Sequence, residues 1–135
     1  VRASSESRGN GKRAVCAFDG DPATWWHSDF SEDKVAKHPH ELVIDLGKEC
    51  TVRGFRCLAR QDTGWNGAIK DCEFYVSPVA NAFDRVAVKA TFEKTKKAQE
   101  ATCEPIKGRY VLLRILSEVN DGPWASIAEL GVIGE

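Results

Sequence analysis

The sequence predicts an all-β sandwich. Short runs of alternating apolar residues recur along the chain, turn residues separate them, and no segment carries a convincing helical repeat. Glu41–Leu46 is apolar-rich and stops at Gly47. Thr51–Arg60 alternates imperfectly through Val52, Phe55, Cys57 and Leu58. Asp71–Ser77 places Cys72, Phe74 and Val76 on one face, as a half-buried strand requires. Arg85–Phe92 carries Val86, Val88 and Ala90, Arg109–Leu116 is rich in Val, Leu and Ile, and Ser126–Ile133 supplies the last strand. Only Glu93–Ala101 reads as helix, and it fits a charged loop equally well.

At 135 residues the chain has the length of one domain, read as a single module over residues 1–135 that can bury a core without a staple. Nineteen basic against twenty acidic residues give a formal charge of -1, which offers no electrostatic footprint for nucleic acid. No run approaches the roughly 18 apolar residues of a membrane span. The sequence contains no Met, so a processed product or a module cut from a longer protein is expected. Five cysteines at wide, irregular gaps make no zinc-type pair. They leave two readings open: a disulfide or two with at least one thiol left over, or buried small hydrophobes.

The chemistry lies in the loops. Asp19-Gly-Asp-Pro-Ala-Thr24 alternates oxygen-bearing side chains in a tight turn, which can close on a hard cation such as calcium or simply be a solvated turn. Trp25, Trp26 and Phe30 surround His27, which reads as a hydrogen-bonding group, a base or a core histidine. His38 and His40 flank Pro39 and fit either a metal pair or a loop. Arg60 ends a strand near Trp65 and Asn66, where its planar donors suit vicinal hydroxyls or an ion pair with Asp62. Trp124 follows Asp-Gly-Pro on a turn, either a lid on the core or a stacking platform. No Ser, Cys or Asp stands in a nucleophile motif. Aromatic rings, in-plane donors and no nucleophile are what a sugar-binding site needs.

In this order the motifs resemble the coagulation factor V/VIII C-type (discoidin) superfamily, and within it the family 32 carbohydrate-binding modules. The resemblance rests on Ala17-Phe-Asp-Gly-Asp-Pro-Ala-Thr-Trp-Trp-His-Ser28, His38-Pro-His-Glu-Leu-Val-Ile-Asp-Leu-Gly47 and Val52-Arg-Gly-Phe with Arg60. It continues through Asn66-Gly-Ala-Ile-Lys-Asp-Cys-Glu-Phe-Tyr-Val-Ser77, Arg109-Tyr-Val-Leu-Leu-Arg114 and Ala128-Glu-Leu130. It implies a jelly-roll β-sandwich that is not an enzyme but binds galactose, N-acetylgalactosamine or lactosamine, and targets an attached glycan-active domain to its substrate. The family's sugar contacts fall on His27, Arg60, Asn66, Phe30 and Trp124, with Glu6 where some members place an acid. Its structural calcium falls on the Asp19, Thr24 and Glu129 side chains and the carbonyls of Cys16, Asp21 and Ala128. A secreted or cell-surface location follows from the family. The alternatives are a fucose-binding lectin of the same fold, suggested by Arg60-Gln-Asp62, and a protein- or lipid-binding discoidin domain. Acidic residues beside the loop aromatics argue against a membrane. The cysteine pair that closes the coagulation domains is missing, and Phe30–Lys37 is a charged loop of open role.

Overall fold

The period-two pattern of Asp71–Ser77 is kept only as far as Phe74 in the computed structural model, which describes residues 1–31 and 35–134: Cys72 and Phe74 are buried and Asp71 and Glu73 half-buried, but Tyr75 and Ser77 are buried while Val76 is half-buried, past a register shift at Phe74/Tyr75. The strands are β1 (Arg2–Ala3), β2 (Trp26–His27), β3 (His40–Leu58), β4 (Asp71–Ser77), β5 (Val86–Thr91), β6 (Gln99–Ile115), β7 (Ser126–Ile127) and β8 (Glu129–Gly134). Two 3-10 turns, Arg8–Asn10 and Ala14–Ala17, are the only helical elements among the described residues. One sheet runs β1-β3-β6-β4-β5 with β8 also on β3, and β2 pairs β7 in a separate ribbon.

The long strands β3 and β6 each serve both layers of the sandwich. The first part of β3 pairs with the end of β6 (His40 opposite Ile115, Asp45 opposite Tyr110) and with β1. Its second part pairs with the start of β6 (Cys57 opposite Gln99) and with β8. Between them the register shifts twice, at Asp45/Cys50 and at Val52/Gly54, and such bulges bend a strand. Gly54 is required at the second bend. Its φ is 145°, and a Cβ there would stand 2.1 Å from the Ala101 carbonyl oxygen. The fold-over brings Phe55 of β3 onto Phe74 of β4, ring centroids 4.8 Å apart, with Phe92 edge-on at 5.8 Å. Trp26, Leu42, Leu113, Ile115 and Ile127 complete the buried core.

Two readings that the sequence left open are decided. Glu93–Ala101 is not a helix, because Gln99 begins β6 ten residues before the run at Arg109. The first part of β6 shows one side to the core and one to water, with Glu100, Glu104 and Lys107 on the wet side, which hides it among charges. Pro105 sits where the register slips and no ladder donor is needed. The cysteines form no disulfide: all five are free. Cys57 and Cys72 are buried, and burial pushes both thiols up, Cys72 to about 12. They behave as small hydrophobes.

Candidate functional site

At one end of the sandwich the ribbon β2–β7 meets two loops, residues 59–67 and 118–125. The ribbon pairs Trp26 with Ile127 and His27 with Ser126. Alternation along β2 buries Trp26 in the core, where its indole N–H donates to the Ser5 carbonyl at 2.9 Å. Ser28 continues the contact: its N–H donates to Ala125 O at 2.8 Å and its hydroxyl accepts the Ala125 N–H at 3.0 Å. The 59–67 loop is seated on the same ribbon by Gly67, whose φ is 87° and where a Cβ would lie 2.6 Å from Ser126 N. Backbone that close admits no side chain.

Between these segments lies a cavity of about 310 Å³ lined by Asn10, Lys12, Trp25, His27, Phe30, Arg60, Asn66 and Trp124. Five residues expected from the sequence therefore converge: His27, Phe30, Arg60, Asn66 and Trp124. Glu6 does not join them. It lines a neighbouring cleft, where its carboxylate accepts from Arg8 Nε at 2.7 Å and the Ala14 N–H at 2.8 Å. Those bonds hold the Glu6 carboxyl below the usual range, the Ala14 N–H first among them. Asn10, Lys12 and Trp25 are the additions. The doubled Trp of Trp25-Trp26 signalled that one ring faces inward and the other outward, but nothing local marked Asn10 or Lys12.

The polar groups are oriented before any ligand arrives. His27 is buried, and its Nδ1 lies 2.7 Å from the Ser28 carbonyl oxygen. A carbonyl only accepts, so Nδ1 carries the proton and Nε2 is left as an acceptor. Arg60 grips Asp62 with two bonds, Nε to Oδ1 at 2.8 Å and Nη2 to Oδ2 at 2.7 Å, and donates through Nη1 to Asn66 O at 3.2 Å. Of a guanidinium's five N–H groups, two remain. Asn66 accepts from Asn120 Nδ2 at 3.0 Å through Oδ1, which turns its own NH2 outward. The Phe30 ring stands edge-on to His27, centroids 4.7 Å apart, and the Trp124 ring lies against Gly122. The Lys12 ammonium lies over the Trp25 ring at 3.6 Å from its centroid, and the Arg60 guanidinium at 4.8 Å.

Glu118 was missed by sequence reasoning. It is fully buried, and its carboxylate accepts three backbone N–H groups: Gly67, Asn120 at 2.8 Å and Gly122 at 2.9 Å. It thus ties the loop bearing Asn66 to the loop bearing Trp124. His40 secures the second loop from below, its Nε2 donating to Pro123 O at 2.5 Å. The His38 and His40 rings meet edge to face at 4.6 Å as supports of that loop.

Burial lowers His27, His38 and His40 below the ordinary imidazole value of 6.5. The unfolded chain then takes up protons first as pH falls, so the stability these residues contribute is complete above about pH 6.5 and is lost on the way down to their folded values. The melting temperature should be flat from pH 8 to 7 and fall by several degrees between pH 6.5 and 5. Glu129, raised from 4.5, acts with the opposite sign. A melting temperature that rises through that interval would refute the assignment.

At the opposite side of the 18–24 turn, the expected calcium ligands draw together. Asp19 accepts from the Thr24 hydroxyl and, at 3.0 Å, from the Asp21 N–H, while Asp21 O accepts from Thr24 Oγ1 at 3.1 Å. Glu129 leads β8 to the same turn. Burial and the neighbouring Asp19 carboxylate raise its carboxyl, and its Oε1 is buried without a hydrogen-bond partner among the described residues. Two facing carboxylates, one of them with an orphaned oxygen, and a hydroxyl fit a hard cation. No group of three or more His, Cys, Asp or Glu side chains converges among the described residues, so carbonyls would have to complete the shell. Cys16 Sγ turns instead to Gly11 O at 3.5 Å, leaving only its carbonyl for such a role.

A shallow pocket at the end of a β-sandwich, walled by aromatic rings and lined by fixed donors and acceptors, is the architecture of a non-catalytic binding module. Among the described residues its lining contains no hydroxyl, thiol or carboxylate side chain. The F5/8 type C domain family matches residues 1–130, and the chain belongs to that family. It is 31% identical over 132 residues to a sialidase of Micromonospora viridifaciens, covering 98% of this chain and 20% of the relative. The chain spans about a fifth of the length of the curated relatives it matches. Among solved structures it resembles CpGH89CBM32-5 from Clostridium perfringens, in complex with GalNAc-β-1,3-galactose. There the TM-score is 0.88 and the identity 30%, over 98% of this chain and 93% of that one. It also resembles the family 32 carbohydrate-binding module of C. perfringens NanJ in complex with galactose (TM-score 0.81, 28% identity, 97% and 90% coverage).

Proposed function

We propose that the pocket holds the terminal residue of a galactose-type glycan, galactose, N-acetylgalactosamine or lactosamine. The observation that carries this reading is the convergence of His27, Arg60 and Asn66 with Phe30 and Trp124 in one cavity. The apolar C–H face of a pyranose packs on the rings. His27 Nε2 accepts a hydroxyl proton, and the free Arg60 and Asn66 N–H groups donate to the oxygens of neighbouring hydroxyls. Two of the similar modules were solved with galactose-containing ligands, which supports the assignment. One shallow site on one ring gives weak binding, ~10 µM to ~1 mM, or about 4–7 kcal/mol. Weak single-site binding suits a module that keeps an attached catalytic domain near extracellular glycans, and we infer that role and a secreted or surface location. Isothermal titration with galactose and N-acetylgalactosamine tests it: saturable heat is expected, and none with either sugar would overturn the reading.

Calcium is proposed for the Asp19, Thr24 and Glu129 site, with the carbonyls of Cys16, Asp21 and Ala128 as further ligands. The ion would bind β8 to the 18–24 turn and neutralise two facing carboxylates. Chelation should lower the melting temperature by on the order of 5 °C, reversed by calcium. Glu129→Gln should melt at the same temperature with and without chelator. If chelation leaves the wild-type melting curve unmoved, no structural calcium is bound.

A further inference from the structure

We propose that the site selects a galactoside carrying an anionic substituent, a sulfate ester or a carboxylate, and that Lys12 supplies the countercharge. The inference rests on the reading of the cavity as a galactose-type site and adds a substrate class to it.

Two cations line the cavity, Lys12 and Arg60, and no acid lines it among the described residues. They are not equivalent. Arg60 is answered by the two-pronged bond to Asp62, so its charge is balanced within the protein. Lys12 has no carboxylate within ion-pair distance among the described residues, and its ammonium rests 3.6 Å from the Trp25 ring centroid. Among the described residues, the cavity therefore carries one positive charge that no carboxylate answers.

That charge is held in place. The Lys12 N–H donates to Ser7 O at 2.9 Å, and the Lys12 carbonyl accepts the His27 N–H at 3.1 Å. Lys12 is thus bound through its backbone to the very residue that offers the hydroxyl acceptor. Its side chain is half-buried along Trp25, which shortens its reach to the cavity and cuts the entropy lost on binding an anion. Outside the cavity lining, Lys96 donates to Arg60 O at 2.9 Å and to Gly64 O at 2.5 Å, and Lys94 and Lys96 both lie over Trp65. These raise the positive potential on the Arg60 side.

A neutral sugar uses little of this. An ammonium is a point charge rather than a planar fork, and it gains most from a compact anion that answers its charge. Sulfate and carboxylate both meet that demand, and the test separates them.

Titration of the full chain with methyl β-galactoside, its 3-O- and 6-O-sulfated forms, and galacturonate, each at 50 and 300 mM NaCl, decides the matter. At least one anionic ligand should bind about five- to tenfold tighter than the neutral galactoside at 50 mM, with the advantage shrinking at 300 mM. A gain for the sulfated forms alone assigns a sulfate site, and a gain for galacturonate alone assigns a carboxylate site. The anionic-to-neutral ratio should fall to about one in Lys12→Gln and return in Lys12→Arg. A wild-type ratio at or below one at 50 mM NaCl, or a preference unmoved by salt, overturns the proposal while leaving the galactose reading intact. Saturable heat with none of the ligands would remove both.

Discussion

Arg60→Ala is expected to lower galactoside affinity at least about thirtyfold, roughly 2 kcal/mol, while the domain still folds. The substitution removes the two N–H groups left over for ligand hydroxyls and frees Asp62, whose carboxyl is held below the usual range chiefly by its bond to Arg60. Asp62 then keeps only the Gly64 N–H and the nearby Lys96 charge. Stability should change by no more than about 1 kcal/mol, because the pair is partly solvated. Arg60→Lys should recover little, since an ammonium cannot grip Asp62 at two points and reach a sugar as well. Titration calorimetry beside a melting curve checks both halves. Unchanged affinity in Arg60→Ala would mean the sugar sits elsewhere.

Glu118→Ala should be the most destabilising single change near the site, at about 3–5 kcal/mol, with a fall in melting temperature on the order of 10 °C. Three buried N–H groups lose their acceptor at once. Glu118→Gln is the sharper probe because it keeps the shape. Oε1 serves Asn120 and Gly122 while Oε2 serves Gly67, so an amide NH2 must face an N–H donor whichever way it is turned. It should cost about 2 kcal/mol and weaken sugar binding too, because Asn66 and Trp124 are no longer held at a fixed separation. A melting curve indistinguishable from wild type would show that the carboxylate does not bridge the loops.

Strand segments facing the core on alternate residues, such as residues 71–74, could be read directly from the sequence, because burial there imposes a period of two. The first part of β6 could not, because its outer face carries Glu100 and Glu104 and its interruption at Pro105 looks like an end rather than a bulge. The same contrast holds at the site. His27, Arg60, Asn66 and Trp124 are unusual residues on turns, and their chemistry announces them. Lys12 resembles any surface lysine until its backbone is seen joined to His27. Glu118 resembles a loop acid until the two loops it joins are seen together. Glu6 has the right charge in the right neighbourhood, but Arg8 and the Ala14 N–H have already claimed its oxygens. Whether a polar group is spent or spare is decided by partners far away in sequence.

The ribbon β2–β7 joins residues 97 positions apart, as in the bond between Ala125 N and the Ser28 hydroxyl. A chain synthesised only as far as Asn66 would already hold His27, Arg60 and two of the three lining rings, Trp25 and Phe30, yet it would have no site to offer. The strand that seats His27 and the ring of Trp124 both lie far downstream of Asn66 in the sequence. Contacts of such long range close late in folding. On the proposed galactoside reading, retention on an immobilised galactoside would separate molecules in which β2 and β7 have paired from those in which they have not, which no measure of strand content alone can do.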